Sequence, residues 1–334
     1  MHRRLVNLGG SQPLLDIASY GRRAQESRAL AQAEIAYIRR TASRVPEVMI
    51  KVSGGARSLA GVRAHFDYIG REGRGVIETD EGTRIQEQGF ENSLVERWDI
   101  DLDAAVDLTR WAIAKQRKPP KLVHNLVFSM PKGTPPEKLQ RAVRAFAREK
   151  FANRHRYAMA LHTDQGHPHV HVVVRAMSGQ GERLNIRKAT LREWRRDFAR
   201  HLRDLGVEAN ATERAVRGEV RTRKTDGIYR AAMRGESRHH LARATKVARA
   251  LADGTAPQPF GSDRVRSTRD AVTRGWDAVA QMLDQQGEGG TAELVRDFVR
   301  RMPAARTEDE QLIERMQARH RDRAQRDRSQ PLTR

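Results

Sequence analysis

The 334-residue sequence contains no cysteine. That excludes a disulfide framework, thiolate catalysis and any Cys-ligated zinc or iron–sulfur site. It leaves His, Asp and Glu as the strong metal ligands. Aromatic residues are scarce, at 5%, with only five tyrosines. The hydrophobic share, 38%, supplies a core but not one that fills the whole chain. No run approaches the roughly 18 apolar residues of a membrane span. The start, Met1 to Leu8, lacks the apolar stretch of a secretory signal. No membrane insertion is expected, and a reducing cytoplasm is the simplest setting. No repeat or low-complexity tract is evident, so a solenoid is not expected.

Positive charge is what the chain has in excess. Lys and Arg number 63 against 42 Asp and Glu, a net +21, with a pI near 11.1. Such a balance points to a polyanionic partner. The excess is not confined to one end. Residues 212–334 hold 26 Lys and Arg against 18 Asp and Glu, so +8 lies there and +13 in residues 1–211. The length suggests about two structural units.

Residues 1–46 read as a helical arm, with a helix over 22–41 stopped by Pro46. Residues 47–211 read as a separate domain. A short β-branched run at 48–52 ends in Ser53-Gly54-Gly55. A helix over 59–69 follows, with Leu59, Val62, Phe66 and Ile69 as its apolar stripe. Residues 74–98 carry no clear period. A helix over 102–115, a strand over 122–129 and a helix opening at Pro135 come next. Two strands, 157–162 and 169–175, flank a loop over 163–168. A helix over 191–205 carries Leu191, Trp194, Phe198, Leu202 and Leu205. The order predicts an α+β fold: a largely antiparallel sheet with helices packed on it. Residues 212–334 read as a basic, mainly helical region, with charged helices over 291–328 broken near Pro303. Its end, from His320, is expected to be disordered.

The chemistry concentrates in His162-Thr163-Asp164-Gln165-Gly166-His167-Pro168-His169-Val170-His171. Strand side chains alternate with period two, so His169 and His171 share a face. A hairpin closing across 163–168 sets His162 opposite His169. Three imidazoles then converge, and neutral imidazole is the commonest metal ligand. Three such ligands leave positions open for substrate. A closed structural zinc site would need a fourth ligand, Asp164 or His167. Asp164 could instead orient a ligand histidine or act as a general base, and periodicity does not fix where His167 points.

On so basic a chain a phosphodiester is the natural electrophile. The nucleophile is water or a side chain. Tyr68 lies about 160–180° round its helix from Phe66 and Leu59, off the core stripe and beside Gly-rich, basic sequence. Tyr37, in the arm, is its rival.

These residues resemble those of the DNA relaxases in the HUH endonuclease superfamily, most closely the T-DNA border endonuclease type. The resemblance covers about residues 48–220. Its most specific part is the His-x-Asp-x-x-His-Pro-His-x-His-Val-Val-Val run, His162 to Val174. Asn125 to Thr134 resembles the family's strand and turn before its third helix. Tyr68-Ile69-Gly70-Arg71-Glu72-Gly73 resembles its nucleophile motif, though the family carries that tyrosine closer to its start. The resemblance implies that Tyr68 attacks a phosphodiester at an origin of transfer and keeps the 5′ end. His162, His169 and His171 would hold a divalent ion, and Asp164 and His167 would assist. Mg²⁺ or Mn²⁺ is the expected ion, with Zn²⁺ or Ni²⁺ as alternatives. Single-stranded DNA, accessory relaxosome proteins and a coupling protein are the implied partners. A rolling-circle replication initiator, a single-strand transposase or a non-catalytic DNA-binding protein with a structural metal are the competing readings.

Overall fold

The computed structural model describes residues 17, 29–100, 110, 113–164, 166–220, 237–254 and 261–329. Nine helices and six strands are present among them. In chain order they are α1 (Gln32–Ala42), β1 (Met49–Gly54), α2 (Leu59–Gly70), β2 (Ile77–Thr79), β3 (Arg84–Ile85) and α3 (Phe90–Arg97). Then come β4 (Val123–Ser129), α4 (Pro136–Phe151), β5 (Tyr157–His162), β6 (His169–Arg175) and α5 (Lys188–Asp204). The last four are α6 (Arg238–Ala252), α7 (Ser262–Gln285), α8 (Gly289–Arg300) and α9 (Glu308–Ser329). The fold is α+β. Most of the expected helix over 102–115, residues 22–28 of the first helix and basic residues 221–236 lie outside the described residues. So do Tyr20, Tyr229 and residues 330–334.

Residues 44–211 form one compact unit. Its six strands make a single antiparallel sheet in the order β1-β4-β6-β5-β2-β3. The hairpin of β5 and the Val-rich β6 sits in the middle, where both strands are largely buried. Helices α4 and α5 cover one face. Their stripes, Leu139, Val143 and Phe146 on α4 and Trp194, Phe198 and Leu202 on α5, join Val170, Val172 and Val174 of β6 in one apolar cluster. Pro136 opens α4 with a preset φ, and Arg148 and Lys150 in its last turn suit the negative end of its dipole.

Helices α2 and α3 pack on the opposite face. Val62, Phe66, Ile69, Phe90 and Leu94 meet Ala158, Ala160 and Val173 there, with Trp98 edge-on to Phe66 at 5.0 Å. Ser58 starts α2 by accepting a hydrogen bond from the Gly61 N–H. The stretch that gave no clear period, 74–98, supplies β2, β3 and α3. Its strands are three and two residues long, too short for alternation to register. Glu78 on β2 reaches the α4 face and is held there, buried, by Arg144. The ends of the unit are joined: the Val48 N–H donates to the Asn210 carbonyl at 2.9 Å, and the Asn210 N–H to the Pro46 carbonyl at 2.8 Å.

The second compact unit combines residues 1–43 with 212–334. Ile35 and Ile38 of α1 share a core with Ile17, Trp276 and Val279 of α7, and Val295 and Phe298 of α8. The Gln286 amide exchanges two hydrogen bonds with the Leu30 backbone, at 2.8 and 3.1 Å. Gly275 has no side chain because the Ile17 carbonyl passes there: an added Cβ would sit 1.9 Å from it. Helix α9 runs past His320 to Ser329, where an unordered end was expected. Its span holds no Gly or Pro, and three acidic residues occupy its first turn. Among the described residues no helix is long and apolar enough to cross a membrane.

Candidate active site

The strand register decides the site. His162 pairs with His169 across the hairpin, and Ala160 with His171. All three histidines therefore leave the sheet on the α2 side, while Val170, Val172 and Val174 leave it on the other. One ring nitrogen from each lies within 4.8 Å of the other two. The ring centroids of His162 and His171 are 4.6 Å apart.

The nitrogens have unequal surroundings. His162 Nε2 lies 2.8 Å from the Ile69 carbonyl, which only accepts, so this nitrogen donates and Nδ1 keeps its lone pair. His169 Nδ1 faces the His167 carbonyl at 3.4 Å, which leaves Nε2 open. Both nitrogens of His171 are buried with no partner among the described residues. A buried imidazole without a partner is costly, and a cation removes that cost. Burial disfavours the charged form of all three rings. It pushes His171 down to about 3, with the neighbouring histidines adding to the effect, and it lowers His162 and His169. Three neutral nitrogens and one orphaned ring suit a divalent ion.

Tyr68 stands at the edge of this cluster. It lies on α2 off the core stripe and is 58% exposed. Its ring meets His171 edge-on at 5.7 Å and stacks on His65 at 5.9 Å. The backbone explains the placement. Ile69, the next residue, anchors its carbonyl to His162, which ties the end of α2 to the hairpin. The rival Tyr37 is partly buried against the apolar cluster of the other unit, and Tyr157 is buried in the sheet.

Asp164 meets none of the ligand histidines through a hydrogen bond. Its carboxylate accepts from Arg71 Nη2 at 2.5 Å, and that bond holds it below the usual carboxylate range. His167 is exposed, its ring 6.1 Å from that of His169, and only its carbonyl faces the cluster. His65 was not singled out by the sequence, although a position three residues before Tyr68 on a helix is its neighbour by geometry. Burial lowers His65 to about 4. Beyond the histidines the sheet face is open. Val127 and Ser129, opposite His171 and His169, are partly exposed, and Lys51, opposite Val127, is exposed.

Two comparisons bear on this arrangement. The sequence model of the family described as "Relaxase: MobA/VirD2-like, nuclease domain" matches residues 79–206, which include the histidine hairpin and begin after Tyr68. The chain is also similar to the T-DNA border endonuclease VirD2 of Agrobacterium fabrum, at 26% identity over 218 residues. That alignment spans 58% of this chain and 45% of VirD2. The histidine trio on adjacent antiparallel strands thus lies inside a segment, residues 79–206, that is similar to the MobA/VirD2-like nuclease domain of HUH-type relaxases.

Proposed function

We propose that this unit nicks and rejoins single-stranded DNA by transesterification through Tyr68 at an origin of transfer. The observation that supports this most is the exposed Tyr68 ring 5.7 Å from His171, at the open side of a three-imidazole cluster. The Tyr68 oxygen attacks phosphorus and forms a P–O bond. The P–O3′ bond breaks, the phenol loses its proton and the leaving O3′ takes one up. The 5′ end stays on the tyrosine and a 3′-hydroxyl is released. One ester replaces another, so the step runs in both directions and the strand can be resealed.

His162 Nδ1, His169 Nε2 and a nitrogen of His171 would hold a divalent ion, Mg²⁺ or Mn²⁺. That ion supplies Lewis acidity toward a phosphoryl oxygen. The chain's own residues position the rest. Ile69 and His162 fix the end of α2. His167 orients His169 through its carbonyl, and Asp164 acts through Arg71. The open sheet face with Lys51 would carry the backbone of the strand. The role in the cell is to start conjugative or mobilisation transfer, with accessory relaxosome proteins and a coupling protein as partners.

The test is an oligonucleotide spanning the origin of transfer, incubated with protein and Mg²⁺ or Mn²⁺. A covalent, SDS-resistant adduct is expected, with the linked peptide containing Tyr68. It should vanish in Tyr68→Phe. An adduct that survives this change overturns the nucleophile, and full cleavage by His169→Ala overturns the metal site.

A further inference from the structure

Helix α2 ends in a way that its own stability does not call for. Its cap residue, Arg71, has left-handed backbone angles, φ 52° and ψ 48°, and Glu72 follows at φ 56°. Glycine is the usual residue at a left-handed cap, because a Cβ there crowds the following carbonyl oxygen. The side chain gained in exchange reaches across to the hairpin loop and bonds Asp164 at 2.5 Å. Both partners are well exposed, at 40% and 50%. A pair so open to water contributes little to folding. Only Nη2 of the guanidinium is engaged, so Nε and Nη1 have no partner among the described residues. The group also lies beside the metal cluster, since Arg71 comes two residues after Ile69, whose carbonyl bonds His162.

We propose that Arg71 is a phosphate-binding group of the DNA site, and that the Asp164 carboxylate occupies it until DNA arrives. A carboxylate and a phosphate offer the same acceptor geometry to a guanidinium fork. A backbone phosphate beside the reacting one replaces Asp164 on Arg71. The left-handed cap aims the fork, and Asp164 keeps the cation from being left bare beside the metal. The inference rests on single-stranded DNA being the substrate.

The experiment measures binding of a fluorescent 20-mer of thymidine nucleotides, in EDTA and on a Tyr68→Phe background, so that no cleavage intervenes. The key variant is Arg71→Gly, which relieves the backbone and so keeps or raises the melting temperature. It should weaken binding by about tenfold or more. It should also flatten the slope of log affinity against log salt by about 0.7, the value of one single-strand phosphate. Arg71→Lys should restore the slope but not the full affinity. Asp164→Ala should bind more tightly than its parent. Unchanged affinity and slope in Arg71→Gly overturn the proposal while leaving the substrate reading in place. Weakening by Asp164→Ala as large as that by Arg71→Gly also overturns it, because the pair would then be a brace. A parent protein that does not bind the 20-mer removes the substrate reading and this inference together.

Discussion

The two faces of strand β6 are built from alternate residues of one seven-residue segment, yet they obey different rules. Val170, Val172 and Val174 point into a closed apolar layer under α4 and α5. His169 and His171 point the other way, into a cluster where one ring has no partner among the described residues. The first face is satisfied by packing, because dispersion and water exclusion need no further group. The second leaves a buried ring that no described residue satisfies, and under the proposed function a cation and a substrate complete it. Stability and chemistry are thus separated by 3.3 Å steps along a strand rather than by domains.

Breaking the histidine face should have the largest effect. In His171→Ala the affinity for Mn²⁺, followed by calorimetry, should fall by more than the 10–100-fold typical of losing an outer partner. Mn²⁺ should raise the melting temperature of the parent but not of this variant, since only a bound ion favours the folded state. Mn²⁺ affinity equal to the parent's would remove His171 from the site.

Breaking the apolar face should have the opposite signature. Phe146 packs against Phe128, Phe151 and Trp194 with ring centroids 5.0 to 6.1 Å away. Phe146→Ala should cost about 3–5 kcal/mol in denaturant unfolding. The folded fraction should still bind Mn²⁺ as the parent does. Loss of metal binding alongside stability would mean that the faces are coupled.

The smallest effect sharpens the comparison from outside, on the solvent side of the apolar layer. Burial raises the Glu149 carboxyl, but hydrogen bonds and charge from Arg200 and Lys150 outweigh it and hold the group at about 2. That lies below the ordinary 4.5. The stabilisation is therefore present above that value and is lost as pH falls toward about 2. The melting-temperature difference between the parent and Glu149→Gln should shrink over this window. A difference constant with pH would show that the ion pairs do not contribute.

The hairpin was legible in the sequence because its features reinforce one another. Val-rich alternation gives the strands, the turn residues at 163–168 close the loop, and the histidine spacing then follows from the pleat. The stripes of α2 and α5 were legible for the same reason, a period repeated over several turns. What stayed hidden depends on distance along the chain. Arg71 and Asp164 are 93 positions apart, and nothing local marks either as the other's partner. The shared core of α1, α7 and α8 joins Ile35 to Trp276, a pairing that no period could reveal. The strands β2 and β3 carried too few residues for their faces to be told apart.

The two hydrogen bonds that close residues 46–48 onto Asn210 put the entrance and exit of the nuclease unit side by side. The same closure makes the unit a plug. Its two ends could be joined by a short linker, and the ring opened at an exposed turn such as that around Gly133, without breaking a strand.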